Sequence, residues 1–242
     1  LLLCFNRAIK THFEKPEFPR VGETRFVSVG IPRLDQCKGL APTPSHGGLV
    51  LFSFFPDDKI CHADLSDNQR QIIYRVSEEF HKNVIQLAIE NPAINVVIKT
   101  KVAKKYLSYV EQIAKIHFGS IKPIKNLIIT NSGSSYDYIS RSAYVLGWQS
   151  TVLLEGLLAT RATACPRLPS WFKKENRLVP TELGLVNEIS NFSELSTWMQ
   201  NADRSQAALK VNEQKALEEI VFTANFDASV RAEAEILKEI SQ

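Results

Sequence analysis

The sequence predicts an α/β fold in which a mainly parallel sheet carries helices on both faces. Two observations lead to this prediction. Short apolar runs alternate with amphipathic helical segments along most of the 242 residues, and such alternation forms βαβ units with right-handed crossovers. The runs are also apolar at consecutive positions, as in LVLFSFF at 49–55, which is typical of strands covered on both faces.

Composition limits the class of protein. A chain of 242 residues that is 44% hydrophobic can bury the core of one large domain or two small ones. The net charge of +3 and the lack of a Lys/Arg run argue against a nucleic-acid partner but fit a ligand with a few phosphates. The four cysteines form no CxxC pair, which favours reduced, buried thiols in a cytoplasmic protein.

The first 45 residues are predicted to be a linker or the remnant of an N-terminal domain, and residues 46–242 the main domain. KPEFPRVG is rich in turn formers, RFVSVG reads as one short strand, and GLAPTPSHGG is a Pro/Gly break. The opening LLLCF is too short for a signal-peptide core or a membrane span. Because no initiating Met is present, we expect a C-terminal portion of a longer protein.

Five strands are predicted for the main domain, each of them a short apolar run. They are LVLFSFF (49–55), INVVI (94–98), NLIIT (126–130), SAYVLG (142–147) and ATACP (162–166).

Helices are predicted between and after these strands from capping signals and apolar spacing. A capping box at Ser66 and Gln69 begins the first helix, and Asn91-Pro92 ends it. The other helices cover about 106–117, YDYIS capped by Ser134 with Asp137, 151–159, FSELSTWM behind a capping box at Asn191 and Glu194, and the tail from about 207.

Ligands of open α/β sheets bind beyond the carboxyl ends of the strands, so the residues that follow each strand carry the functional signal. Here these residues are rich in hydroxyls and include three cations, with no acidic residue before Asp137. They are Lys99, Thr100 and Lys101, residues 131–135, the GWQST segment at 147–151, and Arg167.

The GWQST segment has the features of an anion site at a helix start. Amide hydrogens of a first helical turn have no intrahelical acceptor, and the helix dipole adds partial positive charge. Ser150 and Thr151 add hydroxyl donors, Gly147 allows close backbone approach, and Lys99 adds a full charge, which together suit a phosphate. The alternative is that Ser150 is only an N-cap, since serine is favoured there.

Glu155 follows Thr151 by four residues and therefore lies on the same side of the helix. Its carboxylate could accept hydrogen bonds from ribose hydroxyls, and the alternative is a surface helix glutamate. The sequence has no Walker A motif, no GxGxxG after a strand and no GxSxG elbow, and its histidines lack metal-ligand spacing. We therefore expect neither a metal nor a cofactor.

Several segments resemble the C-terminal half of GT-B-fold glycosyltransferases. They run from VSVGIPRLD through VVIKTK and SSYDYISRSAYVLGWQSTVLLEGLLATRATACPRL to FDASVRAEAEILKEI, and GWQSTVLLEG with D-x-I-S-R-S is the most specific part. The likeness is to bacterial surface-carbohydrate (capsule or lipopolysaccharide) enzymes and their relatives that use CDP-glycerol or CMP-sugars. KTK departs from the His-containing strand end usual in such families.

The resemblance implies a Rossmann-like domain that binds a nucleotide-sugar donor. It assigns the ribose to Glu155, the donor phosphate to Ser150 and Thr151, and the phosphate or the sugar to Lys99. The predicted donor site also includes Lys101, Ser134, Gly147 and Gln149. No catalytic residue is assigned, because the N-terminal domain that often holds the base is largely missing from this chain.

The function implied is transfer of a sugar to a growing bacterial surface polysaccharide, with a glycan acceptor that can be lipid-linked. The expected location is the cytoplasm, including the inner face of the cytoplasmic membrane. Two alternatives stay open: a nucleotide-sugar epimerase of the 2-epimerase type on the same fold, and a non-enzymatic doubly wound binding module.

Overall fold

A computed structural model describes residues 1–15, 24–40, 47–57, 65–119, 124–148, 150–172, 181, 183–204, 211–221 and 225–241. The chain forms two compact units, Ala41–Ala207 and a smaller one that joins Leu1–Leu40 to Ala208–Gln242. The sequence predicted a domain boundary after residue 45, and the first division in the structure comes after Leu40. The C-terminal residues, predicted to belong to the main domain, group with the N-terminal ones instead.

The described residues form eight strands and eight α-helices. The strands are β1 (Leu2–Cys4), β2 (Phe26–Ser28), β3 (Gly48–Phe52), β4 (Val96–Lys99), β5 (Leu127–Thr130), β6 (Ser142–Gly147), β7 (Ala162–Pro166) and β8 (Asn187–Ile189). The helices are α1 (Arg7–Phe13), α2 (Asp67–Glu90), α3 (Lys104–Phe118), α4 (Ser135–Ser140), α5 (Thr151–Leu158), α6 (Phe192–Arg204), α7 (Val211–Val221) and α8 (Ala228–Ile240), and a 3-10 helix covers Pro32–Cys37.

The larger unit is built on a six-stranded sheet in the order β5-β4-β3-β6-β7-β8, in which every pair is parallel. Counted from the first strand of this unit, the order is 3-2-1-4-5-6, that of a doubly wound sheet. The five strands predicted from the sequence are all present. The edge strand β8 was not predicted, because two of its three residues, Asn187 and Glu188, are polar.

Helices cover both faces of this sheet, as predicted. The chain moves outward from β3 to β5 through α2 and α3, and then in the opposite direction from β6 to β7 through α5. Because crossovers are right-handed, these two directions place the helices on opposite faces. Helix α2 accordingly contacts α3 and α6, whereas α4 contacts α5.

Burial on both faces explains the continuous apolar runs of the strands. Leu51 and Ile98 belong to the hydrophobic cluster that includes the inner residues of α2 and α3, and both are fully buried. Val50 and Val145 face the other way, and Val145 lies beside Gly156 of α5; both valines are also fully buried. A strand with one exposed face would instead alternate apolar and polar residues.

The helix starts follow the predicted capping signals. Ser66 and Gln69 form a complete capping box at α2, and Ser134 and Asp137 form another at α4. At α6 the Glu194 N–H donates to the side-chain oxygen of Asn191 at 2.9 Å. Each cap satisfies an N–H group that the helix itself leaves without an acceptor.

The smaller unit contains ordered elements where a linker or remnant was predicted. Strands β1 and β2 pair in parallel, and α8 contacts the 3-10 helix. Asn6 caps α1 and its amide also donates to the Ile220 carbonyl oxygen at 2.8 Å, which ties the N-terminal residues to α7. The predicted short strand of RFVSVG is confirmed as β2.

Three of the four cysteines are buried, as predicted, namely Cys4, Cys37 and Cys165. Cys61 lies outside the described residues. Within the described ranges, no helix is long and apolar enough to cross a membrane.

Candidate functional site

The carboxyl ends of the central strands lie side by side, as the sequence analysis predicted. Lys99 at the end of β4 is in register with Thr130 of β5 and with Phe52 of β3, and Phe52 is in register with Gly147 of β6. The loops after these strands therefore share one edge of the sheet. They are spread along that edge at about 4.8 Å per strand.

The GWQST segment lies at the topological switch point of the sheet. Strands β3 and β6 are neighbours, and the connections that leave them run to opposite sides of the sheet. Such a divergence opens a crevice at the carboxyl ends of the two central strands, where doubly wound proteins bind their ligands. The crevice begins beside Phe52 and Gly147, the last residues of the two strands.

Ser150 occupies the N-cap position of α5 without using its side chain as a cap. Its backbone is extended (φ −144°, ψ 150°), and its carbonyl oxygen accepts from the Leu153 N–H at 3.0 Å. The Ser150 hydroxyl makes no capping hydrogen bond and the residue is half-buried. Thr151, the first helical residue, is exposed, and Gln149 lies outside the described residues. The alternative that Ser150 is only an N-cap therefore lacks its defining feature, a hydrogen bond from a first-turn N–H to the Ser150 side chain.

Gly147 brings α5 close to the end of β6. A Cβ atom at this position would lie 3.2 Å from Cγ2 of Val152 and 3.6 Å from Cδ2 of Leu153. Packing of the helix against its strand thus already accounts for a small residue here. Contact of the Gly147 backbone with a phosphate stays a prediction.

Glu155 is fully buried, with 0% of its surface exposed. The alternative of a surface helix glutamate is therefore wrong. A carboxylate is costly to bury, so its retention inside an otherwise apolar helix is unusual. A ribose could contact it only after a shift of the surrounding atoms, so ribose binding by Glu155 stays a prediction.

Lys99 and Lys101 differ in burial and in the groups that their ammonium atoms approach. Lys99 Nζ donates to the carbonyl oxygens of Thr100 at 2.6 Å and Asn131 at 3.3 Å, and burial lowers its pKa. Lys101 is exposed, and its Nζ lies 5.1 Å from the centre of the Tyr106 ring. Strand β4 is two strands from β6, so Lys99 begins about 10 Å from the GWQST segment.

Ser134 acts as the N-cap of α4, which confirms the predicted cap. Its hydroxyl accepts from the Asp137 N–H at 3.2 Å, and the Asp137 carboxylate accepts from the Ser134 N–H at 3.3 Å. The loop follows β5, three strands from β6 and about 14 Å away. Ser134 is therefore too far from the start of α5 to contact a phosphate bound there directly.

The residues that follow β3 were not predicted to belong to the site, although β3 is the strand that pairs with β6. Ser53 lies next to Phe52, and its Oγ lies 2.9 Å from Nε2 of His81 in α2. Phe54 and Trp148 are both buried, with ring centroids 4.7 Å apart, and they pack together just beyond the ends of β3 and β6. The signal in the sequence is Ser53 itself, a polar residue inside the apolar run LVLFSFF.

Arg167 lies at the same edge, beside a cavity of about 300 Å³ between α2 and the ends of β7 and β8. Its floor includes Val76 and Phe80, and Arg75 lies at its rim. The Arg167 guanidinium donates to the carbonyl oxygen of Glu188 at 3.2 Å. This cavity was not predicted, because its walls come from segments far apart in the sequence.

No group of three or more His, Cys, Asp or Glu side chains in the described part of the chain is placed to hold a metal ion. The chemistry at this edge is that of hydroxyls, amide N–H groups and cations, which suits an anion.

Solved structures of similar fold cover nearly the whole chain. A variant of the wall teichoic acid polymerase TagF aligns with 99% of this chain and 58% of its own, at 14% identity and a TM-score of 0.58. MnaA of S. aureus, solved with UDP, aligns with 99% of this chain over 59% of its own length, at 13% identity and a TM-score of 0.55. A Listeria monocytogenes protein assigned as a UDP-N-acetylglucosamine 2-epimerase aligns with 89% of this chain over 54% of its own length, at 12% identity and a TM-score of 0.54.

This chain therefore spans between 54% and 59% of the length of these three proteins. No protein-family model matches the sequence, and no curated protein matches it. At such identities the likeness establishes the fold and not the reaction. The chain contains a Rossmann-like, doubly wound domain of the GT-B type.

Proposed function

We propose that this chain is the nucleotide-sugar-binding part of a GT-B glycosyltransferase. One observation carries the proposal: the GWQST segment and the start of α5 lie at the switch point of a doubly wound sheet, with a Ser150 hydroxyl that makes no capping bond. Matched proteins of this fold support it, because one is named a polymerase and another was solved with UDP.

The proposed binding mode follows from the groups at the edge. The phosphates of the donor accept hydrogen bonds from the first-turn N–H groups of α5 and from the hydroxyls of Ser150 and Thr151. Lys99, at the end of β4 and two strands from β6, adds positive charge at the same edge. These donors are already in place before the glycosidic bond breaks, so they stabilise the departing phosphate without reorganisation.

We further propose that the acceptor is a growing bacterial surface glycan, including lipid-linked forms, and that the enzyme acts at the inner face of the cytoplasmic membrane. This finer assignment rests on the sequence resemblance. The likeness to a wall teichoic acid polymerase supports it, since that protein is named for a polymer of the cell wall.

Isothermal titration of this chain with CMP, CDP, UDP and GDP tests the proposal. We expect at least one of them to bind in the millimolar range or tighter and to raise the melting temperature by mass action. Inorganic phosphate at the same concentration is the control for binding of a bare anion. If none of the four nucleotides gives heat or a thermal shift at millimolar concentration, the proposal is wrong.

The epimerase alternative has one observation in its favour, namely the fold it shares with the Listeria protein. Inversion at C2 of a sugar requires the C2–H bond to break, so an epimerase incubated with UDP-N-acetylglucosamine in D₂O exchanges deuterium into C2. A transferase does not. We expect no exchange and no sugar transfer by this polypeptide, and deuterium exchange at C2 would favour the epimerase.

A further inference from the structure

The end of β3 holds a serine whose hydroxyl proton is already used inside the protein. Ser53 is half-buried, and its Oγ lies 2.9 Å from Nε2 of His81. The imidazole of His81 is 0% exposed, and its Nδ1 lies 2.7 Å from the backbone carbonyl oxygen of Ser77, one turn earlier in α2.

The carbonyl group fixes the direction of both hydrogen bonds. A carbonyl oxygen can only accept, so Nδ1 of His81 carries a proton. The rings of Phe54 and Tyr109 lie 4.9 Å and 5.6 Å from the imidazole, and burial lowers the pKa of His81 to about 4, so the ring is neutral at pH 7. In that neutral tautomer Nε2 can only accept, and the Ser53 hydroxyl must therefore donate to it.

Ser53 consequently offers only acceptor capacity to a ligand. Its other donor, the backbone N–H, is bonded to the Lys99 carbonyl oxygen at 2.8 Å. The lone pairs of Oγ are left to receive a hydrogen bond. A phosphate at pH 7 presents acceptor oxygens, so it gains nothing from Ser53, whereas a hydroxyl or an amide N–H does.

The residues that follow β6, the strand next to β3, offer hydrogen-bond donors instead of acceptors. Phe52 is in register with Gly147, so Ser53 and Trp148 are the residues that directly follow the ends of two neighbouring strands, whose axes lie about 5 Å apart. Beyond Trp148 come the Ser150 hydroxyl and the first-turn N–H groups of α5, which donate. One side of the crevice therefore suits an anion and the other suits a hydroxylated group.

We propose that Ser53 is a specificity-determining residue that accepts a hydrogen bond from a hydroxyl or amide group on the glycosyl part of the donor, and that His81 is the positioning residue that fixes this polarity. The inference rests on the proposed function for the identity of the ligand. The polarity itself rests on the hydrogen bonds of Ser53 and His81 and can be measured without a ligand.

The first experiment is a long-range ¹H–¹⁵N spectrum of the ¹⁵N-labelled wild-type chain at pH 7, with His81 assigned by comparison with a His81→Gln variant. We expect a neutral imidazole with its proton on Nδ1 and a bare Nε2. A proton on Nε2, or an imidazolium ring, would overturn the inference whatever the protein binds.

The second experiment compares the affinities of UDP and UDP-N-acetylglucosamine, and of CDP and CDP-glycerol, by titration calorimetry. For the pair that the wild type binds, Ser53→Ala should weaken binding of the glycosylated ligand about 2- to 12-fold and leave the bare nucleotide unchanged. Ser53→Thr keeps the hydroxyl and should restore the affinity. Ser77→Ala is the matched control, because it loses only the 2.8 Å bond between Ser77 Oγ and Tyr109 OH and keeps the carbonyl.

Each other result counts against the inference. Equal weakening of both ligands would show that Ser53 contacts the phosphates. No change in Ser53→Ala, together with weaker UDP or CDP binding in Thr151→Val, would overturn the inference and leave the proposed function intact. Failure of the wild type to bind any probe would remove both. Should Ser53→Ala not fold, Ser53→Cys replaces it, since a thiol sulfur accepts hydrogen bonds only weakly.

Discussion

The carboxylate of Asp35 caps the N-terminus of helix α8, although it lies 194 residues from Ser229 in the chain. Asp35 Oδ2 accepts from the Ser229 N–H at 2.7 Å, and Oδ1 accepts from the Ala228 N–H at 3.1 Å. Asp227, the N-cap by position, makes no side-chain capping bond. A residue of the PRLD segment therefore supplies both the acceptor and the negative charge that this helix start favours.

Replacing Asp35 with Ala should lower the free energy of unfolding of the smaller unit by about 1 to 2 kcal/mol, because two first-turn N–H groups lose their acceptor. Asp227→Ala is the matched control. It removes an acidic side chain whose described contact is an exposed ion pair with Arg231, which contributes about 0 to 1 kcal/mol. Urea denaturation followed by circular dichroism measures both. A larger loss for Asp227→Ala would contradict this account of the cap.

The sheet was predictable from the sequence because its strands are covered on both faces. Residues 142–147 and 162–166 were predicted with the bounds that β6 and β7 have in the structure. A buried parallel strand must be apolar at every position, and such a run is visible without any knowledge of its neighbours. The capping boxes at Ser66 and Ser134 were visible for a similar reason, since both partners lie within four residues.

What the sequence did not reveal depends on contacts between distant segments. The pairing of Asp35 with α8 joins the two ends of the chain, and no local pattern indicates it. The contact of Ser53 with His81 spans 28 residues and places two polar groups where an apolar run meets an apolar helix face. The strand order decided which loops meet at the switch point, and this order put Ser134 three strands from the GWQST segment.

Ser150→Gly and Thr151→Val should reduce nucleotide affinity far more than stability. Each hydroxyl bond to a phosphate is charge-assisted and contributes about 1.5 to 3 kcal/mol, so losing one should weaken binding about 10- to 150-fold. Since the Ser150 side chain makes no capping bond, its loss should cost less than the roughly 1 kcal/mol of an ordinary N-cap. Calorimetry and thermal melting measure the two effects separately.

Ser66→Ala is the control for these two variants, because the Ser66 hydroxyl does accept from the Gln69 N–H in a complete capping box. It should lose about 1 kcal/mol of stability and keep its nucleotide affinity. If Ser150→Gly and Thr151→Val behave in the same way as Ser66→Ala, the GWQST segment is only a helix start and the phosphate assignment fails.

The buried imidazole of His81 should make the fold acid-sensitive. Burial lowers the pKa of His81 from 6.5 to about 4, so the unfolded chain binds a proton more readily than the folded one between these values. The stability from this group is complete above pH 6.5 and falls as the pH drops toward 4, by up to about 3 kcal/mol. Urea denaturation between pH 7 and pH 4.5 should show this slope in the wild type and a shallower slope in His81→Gln. An unchanged slope in His81→Gln would contradict the assignment.

Gly156 should be intolerant of even one added methyl group. Its position in α5 lies so close to the sheet that a Cβ atom would come within 2.8 Å of Thr163 Cγ2 and 3.1 Å of Val145 Cβ. In an open helix the change of Gly to Ala stabilises by about 1 kcal/mol, so the sign of the effect is informative here. Because overpacking of this kind costs about 1 to 3 kcal/mol, we expect Gly156→Ala to lower the melting temperature.

The double variant Gly156→Ala with Thr163→Ser isolates the cause. Serine keeps the hydroxyl of Thr163 but lacks the methyl group that the new Cβ atom would meet, so part of the lost stability should return. Thr163→Ser alone gives the baseline, and the coupling between the two changes is read from the full cycle of melting temperatures. Additive effects would mean that α5 moves away from β7 as a whole. The start of α5 would then shift as well, and Gly156→Ala would also weaken nucleotide binding at the GWQST segment.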